Sequence, residues 1–573
     1  MDKGSLVKKS AFFIAICLFV GMFSSIFGEE NSLVGVTVVV LALMMFGKDL
    51  SVKPLWNLGG LLAIMLSMGL GSYASLLNPF LGVPINLVIV FLTSYCTTRN
   101  LGTPLHFPFL LGYAFLLSVP VSPEELDTRI AALVTGSVLI VALNVLVNRK
   151  TREGTSHGII ITVCGHVKDC IKGVRENGTH DTTALNTYCA ESDAVMRDRL
   201  NTLFFTESRD RRVLETRTSL QNLGNAVYEG GCPDGLLRDL ESLMGIVESF
   251  EKGESDASEV SDAVDRILSS HGCGYPVVSS LRLLQSSLTD PEKPPIEPVK
   301  NTLINDFRTD SLGFSFGVRM AILFTFCVFV WQYYGLDNAQ WMLYAIVALV
   351  QPYTDSSWKK ATHRMTGTLM GVILFVIVCL TMGSDPIALG ATVLILGYVY
   401  MLVDPKRYDV MMMFITAMVL TGSVMADPMG DAVTERIAYT LLGVVLATAS
   451  NYLLLPYRMR DENIELCMRY LKTARRGLDD VVNGRDPMET AMIITESSGI
   501  SRKLHMNCPD DPVMGRFLAE QDGLMAEIRL LKTMYGHMDG DDRDEFLERM
   551  AGAERRLEKN RRTASDVLMD MMG

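Results

Sequence analysis

The sequence lacks most of the motifs that would make it an enzyme or a motor. No GxxxxGK[ST] occurs, so the chain carries no P-loop ATPase and no ABC-type motor. HExxH and paired CxxC are also missing. The 11 cysteines are scattered, and Cys164 and Cys170 have no neighbours at zinc-site spacing. Cys17, Cys96, Cys327 and Cys379 lie in apolar runs and read as small core hydrophobes. No disulfide framework is implied, which fits a reducing compartment for the soluble parts. The eight histidines are dispersed, and His157 and His166 are not at i,i+4 spacing. One GxSxG run exists, Gly313-Phe314-Ser315-Phe316-Gly317. A nucleophile elbow needs a strand before it, and this run opens an apolar stretch instead. β-alternating regions of any length are missing. Neither catalysis nor a metal or cofactor is expected. Positive charge is also short: 52 Lys and Arg face 64 Asp and Glu, a net −12 that argues against a nucleic-acid partner.

What remains is a mixture. Hydrophobic residues make up 49% of the chain and charged ones 20%, with a mean hydropathy of +0.25. The two kinds are segregated. Residues 10–148 and 314–456 are apolar and poor in charge, whereas 150–308 and 457–573 are rich in it. Spans are expected at 10–28, 32–47, 57–77, 80–98, 105–119 and 129–148, then at 314–334, 339–352, 364–382, 386–403, 409–425 and 434–456. The second and fifth of each half are short, a pattern that points to a transport path. Lys3, Lys8 and Lys9 precede a run reaching Phe27 without a small-residue cleavage site, so it reads as the first span.

The two halves share a register. Gly60 and Gly367, Pro79 and Pro386, Arg129-Ile130-Ala131 and Arg436-Ile437-Ala438 all lie 307 positions apart, as do Gly136 and Gly443, and Asn144 and Asn451. Loop charges set the orientation. Lys48 and Lys53, Arg99, and Arg149 with Lys150 alternate with Glu29-Glu30 and with Glu124, Glu125 and Asp127. Arg308, Lys359-Lys360, Lys406-Arg407 and Arg458 repeat the alternation in the second half. The N-terminus and both soluble blocks are therefore expected in the cytoplasm of a cell-membrane protein. An even span count makes the repeats parallel.

The expected fold is an all-α membrane protein of two parallel six-helix repeats, each followed by a helical cytoplasmic domain. The domains are 1–149, 150–312, 313–457 and 458–573. In the first soluble block, Leu200, Leu203, Phe204, Leu214, Leu220 and Leu223 keep helical spacing. Asp234 and Ser258 are expected helix caps, and Pro291, Pro294, Pro295 and Pro298 form a stiff linker. The second block reads as helices at 459–482, 487–504, 510–537 and 541–571, with Leu524, Ile528, Leu531 and Met534 on one face.

No Asp or Glu falls at mid-span, where a proton-coupled transporter often carries one. Ionisable groups at span ends are mostly positive: Arg129, Arg319, Arg364 and Arg436. Arg can hold a carboxylate with two bonds; snorkelling to lipid phosphate is the alternative, and the stronger one for Lys359 and Lys360. Asn144 and Asn451 need partners within the bilayer. Trp331, Trp341 and Trp358 read as interface anchors, with stacking on an aromatic substrate as the alternative.

Phe316–Leu380 holds Arg319, Trp341, Gln351-Pro352, Lys359, Arg364, Gly367-Thr368 and Gly371. This set resembles the FUSC family of fusaric-acid-resistance and aromatic-acid-exporter-like proteins. The first half departs from it: Val34, Met44-Met45 and Asn57 stand where the second has Trp341, Gln351-Pro352 and Arg364. The resemblance implies efflux of small organic, aromatic carboxylic anions across the cell membrane, driven by an ion gradient. Arg319, Gln351 and Arg364 would bind the substrate from the inside, and Arg129 and Arg436 would line the exit. A more distant likeness is to plant aluminium-activated malate transporters, six-span anion channels that pair as dimers. One chain would then form a pseudo-dimer, with Arg129 and Arg436 approaching each other across its axis. An anion channel and a non-transporting scaffold stand as alternatives, and homo-oligomers remain open.

Overall fold

The computed structural model describes residues 3–45, 50, 54–98, 105–178, 181–200, 211–229, 232–289, 311–354, 357–383, 385–404, 407–426, 431–483, 487–508, 511–536 and 543–572. Among these, all regular structure is helical. The chain divides into two units. The first comprises 1–47, 55–144 and 301–459; the second 48–54, 145–300 and 460–573.

The first unit holds the apolar helices. They are α1 (Lys3–Phe27), α2 (Ser32–Met45), α3 (Pro54–Leu77), α4 (Pro79–Thr98), α5 (His106–Ser118) and the start of α6 (Leu126–Asn177). The second half supplies α12 (Leu312–Tyr334), α13 (Gln340–Leu349), α14 (Ser357–Met382), α15 (Pro386–Leu402), α16 (Tyr408–Ala426) and α17 (Asp431–Leu453). These are twelve helices where twelve spans were expected. Six of them, in α1, α3, α4, α6, α12 and α14, contain segments long and apolar enough to cross a bilayer. Shorter apolar helices are α5, α13, α15 and the Tyr408–Gly422 part of α16. With 19 residues, α16 is not as short as its counterpart α5, which has 13.

Local chemistry sets many of the boundaries. Ser311 caps α12 by accepting from the Phe314 amide, and Asp385 caps α15 by accepting from Ile387, with Pro386 in the first turn. Gly28 and Gly335, 307 positions apart, both take positive φ (91° and 59°) where the chain turns from the first helix of each half into the second. The helix α6 contains no proline and runs unbroken to Asn177. The expected boundary at 149 therefore falls inside a helix, since nothing in the sequence there stops one.

Helix contacts join the halves in matching pairs: α1 with α15, and α12 with α4. Ser10 bonds Tyr398 (2.7 Å) across the first pair. Across the second, a Cβ on Gly317 would lie 3.2 Å from the Phe91 ring. Gly317 and Phe91 occupy the register positions of Ser10 and Tyr398. The GxSxG run is thus a helix-packing surface, with Gly313 against Tyr95 and Gly317 against Phe91.

The second unit combines the remainder of α6 with α7 (Thr183–Leu200), α8 (Arg211–Glu229), α9 (Asp234–Glu251), α10 (Ala257–Ser270) and α11 (Tyr275–Thr289). It continues with α18 (Met459–Val482), α19 (Pro487–Asn507), α20 (Pro512–Tyr535) and α21 (Arg543–Met572). Val163, Val167, Ile171, Leu220, Leu240 and Leu281 are core residues. The expected face of α20 is buried throughout: Leu524, Ile528, Leu531 and Met534 are fully inaccessible. Two caps differ from expectation. The chain turns helical at Asp234 itself, preceded by extended Pro233, and its carboxylate bonds Arg238 instead. Asp256, not Ser258, occupies the cap of α10. Leu203, Phe204 and the proline linker lie outside the described residues.

Candidate anion site

The four arginines singled out from the sequence end in different states. Arg319 lies two turns into α12 and is completely buried. Its Nε donates to Leu454 O (3.1 Å), Nη1 to Gln351 O (3.0 Å) and Asn451 Oδ1 (3.2 Å), and Nη2 to Ser315 Oγ (3.1 Å) and Leu455 O (2.9 Å). A guanidinium has five N–H groups, so none is left for a ligand. The acceptors are carbonyls just beyond the ends of α13 and α17, where a helix leaves its last C=O groups unmatched and partially negative. Arg319 is their common cap.

Arg129, 1% exposed, does the same for the first half. Its Nη1 donates to Val119 O (2.7 Å) and Leu116 O (3.4 Å) at the end of α5, Nη2 to Glu30 O (2.8 Å), and Nε to Asn31 Oδ1 (2.9 Å). Asn31 is turned toward it because its Nδ2 is anchored on Phe27 O (2.8 Å). A cavity of about 10 Å³, room for about one water molecule, adjoins Arg129 beside Val34, Thr37, Met65, Met68 and Leu133.

Arg436 occupies the register position of Arg129 but lacks its partners. It is 5% exposed, and its Nε and Nη1 are buried without an acceptor. Its guanidinium carbon stands 3.6 Å from the centre of the Trp341 ring, a cation–π contact. Trp341 in turn meets Tyr344 edge-on at 5.3 Å. In the first half these two ring positions are Val34 and Thr37, which line the small cavity. Asn338, which corresponds to Asn31, does not reach Arg436. Its Nδ2 donates to Glu435 Oε2 (2.7 Å), and its Oδ1 accepts from Gln340 Nε2 (3.4 Å).

Arg364 is half-buried on α14. Its Nη1 donates to Tyr408 Oη (3.3 Å) and contacts Met412 Sδ (3.5 Å), while its Nε is buried without a partner. Gln351 turns inward: Nε2 donates to Ala348 O and Val350 O, both at 3.2 Å, and the backbone carbonyl holds Arg319. The side chains of Lys359 and Lys360 lie outside the described residues.

The structure therefore brings Arg436 and Trp341 together, and Arg319 with Gln351 elsewhere in the unit, while Arg364 meets Tyr408 and Met412. The expected approach of Arg129 and Arg436 is not met: no hydrogen bond or charge interaction joins them, because Arg129 is held by the Glu29–Asn31 turn and the end of α5, and Arg436 lies over Trp341 of α13. Asn144 Nδ2 and Asn451 Nδ2 donate to Met45 O (2.8 Å) and Leu349 O (3.3 Å), so each ties the last helix of its half to the second. Sequence reasoning passed over Asn338, Glu435 and Gln340. The signal was there in the register, since Thr128 and Leu33 stand opposite Glu435 and Gln340 while the asparagine is kept.

No curated protein and no solved structure gives a significant match to the chain. Residues 325–450 match the family described as fusaric acid resistance protein-like. That segment contains Trp341, Gln351-Pro352, Lys359, Arg364, Gly367-Thr368 and Gly371, most of the residues on which the resemblance rested. Residues 325–450 are thus similar to the fusaric acid resistance protein-like family, in a chain whose apolar helices make it a multi-pass membrane protein.

Proposed function

We propose that the protein transports small organic anions, aromatic carboxylates in particular, out across the cell membrane. The observation that carries this reading is Arg436: a buried cation with two unmet donors above an indole ring. An unmatched buried donor costs about 1–3 kcal/mol. A carboxylate accepting from one of these N–H groups would reduce that cost, and an aromatic body beside it would extend the stack on Trp341 and Tyr344. Arg364 supplies a second positive charge in the same unit. Arg319 and Gln351 shape the inner ends of the helices, and Arg129 holds the first half closed. The matched α1–α15 and α12–α4 contacts support two parallel repeats around one pathway. The loop charges support a cytoplasmic N-terminus and cytoplasmic soluble segments.

The test is flux of benzoate in proteoliposomes. Arg436→Ala is expected to lower it at least ~10-fold, the factor that about 1.4 kcal/mol supplies. Unchanged flux with a properly folded variant refutes the role. Saturable, gradient-coupled uptake supports a carrier, and ohmic current without coupling supports a channel.

A further inference from the structure

Two arginines at one register position have opposite fates, and the difference traces to one tethered amide. In the first half Asn31 Nδ2 is bound to Phe27 O, so its Oδ1 faces Arg129 and accepts from Nε. In the second half the same asparagine, Asn338, has both ends occupied: Glu435 takes the Nδ2 and Gln340 fills the Oδ1. The backbone differs too. Asn31 closes a short 3-10 turn, whereas Asn338 stands at φ 55°, in the left-handed region that asparagine tolerates. Neither tether exists in the first half, where Thr128 and Leu33 occupy the positions of Glu435 and Gln340. A leucine cannot donate, and a threonine is too short to reach as a glutamate does.

We propose that Glu435 and Gln340 are positioning residues that hold Asn338 away from Arg436, and so keep an anion-binding guanidinium open in the second half. Arg129 shows the closed form of the same arrangement. There the asparagine oxygen and three carbonyls meet the cation and take four of its five N–H groups, Nε among them. Arg436 retains Nε and Nη1 without an acceptor, N–H groups on different sides of the fork that the oxygens of a bound anion can reach one at a time. Trp341 below the cation selects a ligand with an aromatic or planar body. The asymmetry gives the pseudo-symmetric bundle one open anion site for each shut one. An internal acceptor and a substrate carboxylate compete for the same two donors. This inference rests on the reading that the chain binds organic carboxylates.

The experiment measures benzoate binding by titration calorimetry, using the full chain in lipid nanodiscs. Glu435→Thr frees Asn338 and is expected to weaken binding at least ~10-fold, because the released amide oxygen takes over Arg436 Nε. Adding Asn338→Ala to it removes that competitor, and affinity is expected back within about 3-fold of the parent, a coupling that a double-mutant cycle isolates. Asn338→Ala alone is expected to leave affinity within the same about 3-fold range. A merely structural Glu435 would give no rescue in the double variant. If the parent binds benzoate and Glu435→Thr binds it equally, or the double variant stays weak, the tether is overturned while the anion reading stands. If the parent does not bind benzoate and Arg436→Ala changes nothing, the anion reading fails, and the tether fails with it.

Discussion

Arg319 and Arg436 carry the same charge into the same helical unit, and their surroundings give them opposite work. Every N–H of Arg319 meets an oxygen, and three of those oxygens are helix-end carbonyls with no other donor in their own helix. Removing it strands several buried acceptors at once. Arg319→Ala is therefore expected to destabilise the membrane unit by about 3 kcal/mol or more, read as a lower thermal midpoint in detergent. Arg319→Lys should not rescue it, since one ammonium cannot replace a planar five-donor fork. Arg436 has donors to spare, so its alanine variant should lose anion flux with little loss of stability. The pair of measurements separates a capping cation from a binding one.

Among the elements, α14 and α16 approach each other closely through their backbones. A Cβ on Gly367 would sit 2.4 Å from Asp409 O, and one on Gly371 2.7 Å from Met413 O. The spacing is the small-xxx-small pattern that lets membrane helices touch through their backbones. Gly371→Val is expected to cost about 1–3 kcal/mol by forcing the two helices apart, seen as a lower thermal midpoint. Gly422→Ala, where a Cβ meets nothing within 4 Å, is the neutral control. A second close approach repeats in register. Gly136 lies under Val38 in the first half and Gly443 under Ala345 in the second, both 307 positions apart. Only ten residues long, α13 spans about 15 Å, half a bilayer core. Its freed carbonyls need internal donors at membrane depth, and Arg319 and Asn451 provide them.

At the scale of the whole molecule, segments far apart in sequence are assembled into each unit. In the second unit α20 is packed on α8 and α11. Arg529 Nη1 donates to Gln221 Oε1 (2.7 Å), Asn222 Nδ2 to Thr533 Oγ1 (3.1 Å), and the Tyr275 hydroxyl to Met534 O. Arg529→Ala is expected to loosen this joint by about 2 kcal/mol, read as faster limited proteolysis within 211–289. Much of this molecule was legible beforehand. Helix positions follow from the length of apolar runs and from Pro, Gly and capping residues, all local properties, so most expected spans and the α18–α21 boundaries fall within a few residues of those observed, while α1 and α14 start seven residues earlier and α6 runs on past its span. The 307-residue register needs only a count along the chain. Three things were hidden: the unbroken α6, the inward fate of Arg319, and the opening of Arg436. Each depends on what arrives from elsewhere. The sequence by itself determined where the cations lie along their helices and that the two halves correspond. Only the tertiary structure decided which cation is spent and which is free, because a hydrogen bond is a contest among acceptors brought together in space, and here Asn31 meets Arg129 while Glu435 and Gln340 hold Asn338 back from Arg436.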